Sequence, residues 1–196
     1  MQTFLGRVVA NSMAKRLDTE VKIERISIDF FNKAYLEGFT LYDQEGDTLI
    51  HARSVDLGVL YLGPRNARYR FSSLKLENAD FRLKQIAPNR TNIDFITEYF
   101  SSEDTTSSES RLNLKAGEIS LYNCHFSYKD PFDTSAQAKL DFTDLDIMNI
   151  DGQMRDFQFQ ADSMITQIES FSFNDKSGFQ ISEIAGQIKL GPKGIF

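Results

Sequence analysis

Tryptophan is absent from the 196-residue sequence, cysteine occurs once and histidine twice. The single cysteine, Cys124, cannot close an internal disulfide, so the cysteine count says nothing for or against an oxidising compartment. His51 and His125 are too few for most histidine-based metal sites, and neither has a ligand-spaced neighbour; both read as half-exposed strand residues. Basic charge is not in excess: 28 Asp and Glu against 22 Lys and Arg give a net charge of −6, which leaves little to release phosphate counterions and excludes nucleic acid as the expected partner. No apolar run approaches the roughly 18 residues that cross a bilayer, and no signal-peptide pattern opens the chain. G-x-S-x-G, H-E-x-x-H, P-loop and G-x-G-x-x-G patterns are missing. Asp141, Asp144 and Asp146 are close in sequence, but without a Gly-turned loop or a His they read as a solvated strand face, not an acid-base pair or a calcium site. The expectation is a protein that is not an enzyme and uses no cofactor and no metal.

What the chain does contain is apolar bulk, with 17 Phe and 7 Tyr, enough length for a buried core, and two kinds of periodicity. From Gln2 to Leu17 the period is helical. Phe4, Leu5, Val8, Val9, Met13 and Leu17 recur at three- and four-residue spacing, while Arg7, Asn11, Lys15 and Arg16 fall largely elsewhere on the wheel. Such a helix either docks on the rest of the fold or lies at a membrane interface. After Asp18 the period drops to two, the mark of strands with one wet face. Asp43-Gln44-Glu45-Gly46-Asp47 reads as a tight turn, and Gly63-Pro64 as a break. Thr91 or Asn92 can cap a short helix over 92–100. Residues 101–110 are polar and low in complexity and read as a mobile surface loop within one β-domain spanning 18–196.

Within the strands one pattern recurs: two apolar residues at alternate positions, a two-residue gap, then alternation in the opposite phase. It runs Val21, Ile23, Ile26, Ile28; Leu74, Leu76, Ala79, Phe81; Ile119, Leu121, Cys124, Phe126; and Leu140, Phe142, Leu145, Ile147, with a weaker copy at Phe179, Ile181, Ile184. A phase switch means a turn or an extra residue, and the gaps at Glu24-Arg25, Glu77-Asn78, Tyr122-Asn123 and Thr143-Asp144 lack the Gly of a two-residue hairpin. Bends within long strands are therefore expected. Repeated bends coil a sheet into a trough, whereas strands bending at corners build a closed sandwich; the pattern alone leaves both open.

The succession of an amphipathic helix, Val21-Lys22-Ile23-Glu24-Arg25-Ile26-Ser27-Ile28-Asp29-Phe30-Phe31, Leu36-Glu37-Gly38-Phe39, Leu41, Asp43, Gly46-Asp47-Thr48-Leu49-Ile50 and Thr91-Asn92-Ile93-Asp94-Phe95 resembles the N-terminal region of the AsmA superfamily, in particular the TamB-like translocation and assembly module proteins of the Bacteroidetes type. The resemblance covers roughly the first 100 residues, and its motifs are structural. It implies a mainly β fold, a long, curved antiparallel sheet forming an elongated groove of the β-taco or chorein type, capped by the N-terminal helix. It also implies a periplasmic protein anchored to the inner membrane by an N-terminal helix. This chain lacks the anchor and is too short to cross a periplasm, so it is expected to be a segment of a longer one.

The function implied by the resemblance is bridge-like lipid transport: an apolar groove that holds or conducts phospholipid acyl chains between inner and outer membranes. Candidate groove residues are Ile26, Ile28, Phe30, Leu41, Leu57, Val59, Leu76, Phe81, Leu83, Leu121, Phe126, Leu145 and Ile147, and the membrane-proximal helix is marked by Phe4, Leu5, Val8, Val9, Met13 and Leu17. Which phase faces the groove is left open by the alternation. The alternative expectation is an interaction scaffold that aids assembly or secretion of outer-membrane β-barrel proteins through an open strand edge. The expected partners are phospholipid, the inner membrane through the anchor, and an outer-membrane barrel protein.

Overall fold

In the computed structural model, residues 4–29, 32–63, 68–101, 113–133, 141–160, 163–191 and 194–195 are described. The first helix, α1, covers Phe4–Leu17. Four strands follow as an antiparallel meander: β1 (Val21–Asp29), β2 (Lys33–Tyr42), β3 (Thr48–Gly63) and β4 (Arg68–Ala87). A two-residue strand, β5 (Arg90–Thr91), turns back on β4 and leads into a second helix, α2 (Asp94–Ser101). Then come β6 (Asn113–Lys129), β7 (Asp144–Gln160), β8 (Ser163–Asp175), the short β9 (Gln180–Ile181), β10 (Gly186–Gly191) and β11 (Gly194–Ile195). The order across the sheet is β1-β2-β3-β4-β6-β7-β8-β10-β11, with β9 beside β8.

The result is the expected mainly β fold: a long, open, curved sheet with a helix at its N-terminal side and a short helix after β4. One junction departs from the antiparallel expectation. β6 runs parallel to β4, with Arg68 opposite Asn113 and Lys84 opposite Lys129. The connection that contains α2 carries the chain back from the end of β4 to the level of its start, so the next strand must enter in the same direction.

The phase switch coincides with a left-handed residue in β2, β4, β6 and β7, whereas β1 and β3 switch phase without one. Asn78, Asn123 and Asn149 take left-handed backbone angles, φ 48°, 49° and 52°, and Gly38 takes φ 60°. Asn and Gly are the residues that reach this region at least cost. One left-handed residue inside a strand reverses the alternation, so the apolar residues on both sides of it stay on one face. In β2, Ala34, Leu36, Phe39 and Leu41 all belong to or pack on the core; in β3 Ile50, Ala52, Val55 and Leu57 do; in β4 Leu74, Leu76, Ala79 and Phe81 do. The two phases that the sequence left undecided therefore both point inward.

These switches line up across the sheet. Glu37 pairs with Ser54, Ser54 with Glu77 and Glu77 with Tyr122, while Phe39 pairs with Ala52 and Ala52 with Ala79. The extra residues form one seam. The Asn123 side-chain amide donates to the Asn78 amide oxygen at 2.7 Å, and the Asn123 N–H donates to the Asp151 carboxylate at 2.9 Å, which joins β4, β6 and β7 along it. A second seam crosses β4, β6 and β7 nearer their other ends, where Phe71, Ala116 and Phe157 pair on one side and Ser73, Glu118 and Arg155 on the other. Here Asp156 has φ 52°, and a Cβ at Gly117 would lie 2.7 Å from the backbone oxygen of Ser72. Two aligned rows of bends give the sheet its curl.

Two of the sequence copies fail. Thr143-Asp144 is the turn entering β7, and Phe142 is 64% exposed there; the bend in β7 lies at Asn149, between the inward residues Ile147 and Ile150. The copy at Phe179–Ile184 is a short strand and a loop, with Phe179 and Ile184 exposed. Both stretches are apolar at the right spacing but end in turns, which alternation cannot reveal. The loop expected at 101–110 falls, except for Ser101, outside the described residues.

Candidate functional site

α1 lies on the inner face beside β1. Ala10 is fully buried, and Val9, Met13, Ala14 and Leu17 pack on the core that α2 joins through Phe95. Phe4 and Val8 stay outside, 81% and 49% exposed. The helix therefore docks on the sheet with part of its apolar stripe and leaves the rest in solvent. The side chain of Leu5 lies outside the described set.

Between α1 and the concave side of β1–β4 the packing is incomplete, and a cavity of about 760 Å³ remains. Val9 and Met13 form one wall. Ile26 and Ile28 of β1, Ala34, Leu36 and Phe39 of β2, Leu57 and Val59 of β3, and Tyr69, Phe71, Leu76 and Phe81 of β4 contribute to the rest. Apart from Asn32, Lys33 and the Tyr69 hydroxyl the lining is apolar. Its volume falls within the roughly 300–1,000 Å³ of small-molecule sites, but its polarity is lower than that of sites that fix a polar ligand. Ile28 and Leu62 line it while remaining 64% and 55% exposed, so the cavity opens toward the end of the sheet where β1 turns into β2 and β3 into β4.

The sequence candidates divide accordingly. Ile26, Ile28, Leu57, Val59, Leu76 and Phe81 line the cavity. Leu41 does not: it is 4% exposed and part of the core. Leu121, Phe126 and Ile147 pack against the core on the continuation of the same inner face over β6 and β7, away from the cavity. Leu83 and Leu145 are half-buried near the far ends of β4 and β7 and belong to neither group. Phe30 lies outside the described residues. Lining residues missing from the candidates include Leu36, Phe39 and Ile50, and also Leu62, Tyr69 and Phe71, the last two beyond the second seam on β4.

Polar chemistry collects on the outer face and at the opposite end. The Asp43 turn forms as expected: the Asp43 carboxylate accepts from the N–H groups of Glu45 and Asp47 at 3.0 and 2.9 Å. Asn92, offered by the sequence as a helix cap, has its side chain engaged elsewhere. Its amide oxygen accepts from the Lys84 N–H at 2.9 Å, and its NH2 donates to the Arg82 carbonyl at 3.0 Å and to Asp43 at 3.1 Å. Burial pushes the Asp43 carboxyl up, but those hydrogen bonds and the nearby Lys84 ammonium outweigh it and hold the group below its usual value of 3.8. Asp43, Glu45 and Asp47 lie close enough to suggest a metal, yet the Lys84 ammonium sits among them, 3.5, 2.7 and 2.6 Å away, and takes the place a cation would occupy.

His125 is a half-exposed strand residue, as expected, and its ring is in addition paired on both sides. Its Nδ1 is 2.8 Å from Asp80 and its Nε2 2.6 Å from Asp146, so the ring bridges β4 and β7 from the middle strand on the outer face. Both nitrogens are thereby engaged by carboxylates, an arrangement that suits an imidazolium and not a metal ligand. Cys124 is buried on the inner face, and burial pushes its thiol up, which disfavours the reactive thiolate.

The sequence matches no protein-family model and no curated protein.

Proposed function

We propose that this chain is a non-enzymatic segment of an envelope-spanning bridge protein that holds or conducts phospholipid acyl chains in its apolar β-groove between inner and outer membranes. The observation that carries this reading is the cavity of about 760 Å³ beneath α1, nearly all apolar and open at one end. Apolar walls left uncovered by protein are costly unless something apolar covers them, and each lipid methylene buried there contributes about 0.8 kcal/mol. A chain of methylenes suits a lining that has almost no hydrogen-bonding groups. The apolar inner face continues over β6 to β8 through Ile119, Leu121, Ile150 and Ile168, of which Ile119, Ile150 and Ile168 are covered by the protein itself. In the envelope-bridge reading the protein is periplasmic and tethered to the inner membrane.

The scaffold reading draws on β1, which among the described residues has a strand neighbour on one side only. That edge carries exposed Lys22, Glu24 and Arg25, charges of the kind that deter strand addition. The lipid reading is therefore preferred. Its test is native mass spectrometry of protein purified without detergent, together with displacement of a fluorescent fatty acid. Lipid adducts are expected. Val59→Trp, which fills the cavity without adding charge, should weaken fatty-acid binding by about tenfold, because excluding two methylenes is enough for that loss. No adducts, and an unchanged affinity in Val59→Trp, would refute the groove.

A further inference from the structure

The two ends of the sheet carry opposite charge. At the end where the cavity opens, the terminal described residues of the strands bring together Lys33, Arg68, Arg70, Lys115 and Lys189, with Asp29 as their acidic neighbour. Register sets Arg70 directly beside Lys115 and opposite Tyr61. Tyr69 and Phe71, on either side of Arg70, point into the cavity, so Arg68 and Arg70 belong to the outer face. Three large aliphatic residues, Ile28, Leu60 and Leu62, are more than half exposed at this same end. At the opposite end Asp43, Glu45, Asp47, Asp130, Asp141 and Asp175 outnumber Lys84, Arg90, Lys129 and Lys176. In a chain of net charge −6 this separation makes an electric dipole along the strands, with the apolar opening at its positive pole.

We infer that the Lys33–Arg70–Lys115 end of the sheet docks on a bilayer that carries anionic headgroups. Cations flanking exposed aliphatics are the combination that holds a protein at a membrane interface: the charges are attracted to the headgroups and the aliphatics enter the acyl boundary. The acidic end is repelled by the same surface, which turns the cavity mouth toward the lipid. The inference rests on the acyl-groove reading only for the purpose of docking; the docking itself has its own readout.

That readout is sedimentation with vesicles of phosphatidylcholine alone or with phosphatidylglycerol added. The protein should follow the anionic vesicles and not the neutral ones, and its partition should fall as salt rises. Arg70→Gln with Lys115→Gln should weaken partition about thirtyfold, since each cation near the surface accounts for about fivefold. Arg90→Gln with Lys129→Gln, which removes the same charge from the other end, should change it little. Equal losses in the two pairs, equal binding to neutral vesicles, or no binding at all would each overturn the docking. The fatty-acid assay separates the two readings. The Arg70/Lys115 pair should bind fatty acid as wild type does, and Val59→Trp should lose fatty acid yet still sediment. If Val59→Trp keeps its fatty-acid affinity, the groove fails while the vesicle result stands.

Discussion

At the end of the sheet where β2 turns into β3, acidic side chains are consumed in tying the backbone: Asp43 accepts from two turn N–H groups and from Asn92, the Asp141 carboxylate accepts from the N–H and hydroxyl of Thr143, and Asp175 accepts from the Ser177 N–H. At the other end the strands finish among cations and exposed aliphatics, with a cavity between them. Charge has a different task in each place. Hydrogen-bonded carboxylates close the first end by replacing missing ladder partners, which a buried backbone group requires. At the second end the described residues form no such carboxylate seal, and Lys33, Arg70 and Lys189 are exposed there. Stability is thus concentrated where the sheet is sealed and withheld where it is open, the division expected of a protein that admits a ligand at one end.

The largest effect should come from unsealing the closed end. Asn92 is 4% exposed and its side chain serves the Lys84 N–H, the Arg82 carbonyl and Asp43, which is itself 2% exposed. Asn92→Ala leaves those groups buried without partners and should cost about 2–4 kcal/mol, measured by urea denaturation. A loss under about 0.5 kcal/mol would mean that water replaces the amide and that the end is not sealed. Acid should act on the same end. Asp43, Asp141 and Asp175 are held below 3.8, so they stabilise the fold above that value, and the contribution is lost as pH falls through their lower folded values. Hydrogen exchange below pH 4 should open this end of the sheet before the aliphatic one.

Much of this architecture was legible in the sequence. The helix, the change of period at Asp18, the Asp43 turn and the bends at Asn78 and Asn123 all appear as local pattern, because a left-handed residue leaves a visible slip in alternation. What stayed hidden depends on contacts across the sheet. The parallel entry of β6 depends on where the chain rejoins the sheet after α2, which alternation within a strand does not report. The role of Asn92 depends on Asp43, far away in sequence, and the pairing of His125 on carboxylates from two other strands. Of the groove candidates, Ile26, Ile28, Leu57, Val59, Leu76 and Phe81 reached the cavity, while Leu41 went to the core because alternation reports the face and not which part of it a helix covers.

The seam lies between the two ends and tests whether they are held in fixed relation. Asn123 at φ 49° is stabilised by its bonds to Asn78 and Asp151. Asn123→Val should cost about 1–2 kcal/mol, since a β-branched residue resists left-handed backbone, whereas Asn123→Gly should stay within about 1 kcal/mol of wild type. Thermal unfolding of the pair checks this. If both cost the same, the side-chain bonds and not the backbone angle hold the bend, and the curl is less rigid than the aligned register implies.

The smallest effect concerns His125, on the closed side of the seam. Partial burial lowers its pKa, but the hydrogen bonds and charges of Asp146 and Asp80 more than offset this, leaving it raised above 6.5. The groups around it are Asp80 and Arg82 on β4 and Asp146 on β7, and Arg82 is itself paired to Asp80 at 2.5 Å. A group whose folded pKa is raised contributes fully below its unfolded value and ceases to contribute as pH rises through the folded one. Stability should therefore decline from pH 6.5 upward by an amount that His125→Gln abolishes, because a neutral ring leaves one nitrogen lone pair facing a carboxylate. NMR titration of the ring should place its midpoint above 6.5, and a midpoint at or below that value would show that Asp80 and Asp146 do not hold the proton. Since the bridge spans β4, β6 and β7 only on the sealed side, the alkaline loss should register in amide exchange there and leave the cavity end unchanged, which separates the two ends by pH as the Asn92 variant separates them by mutation.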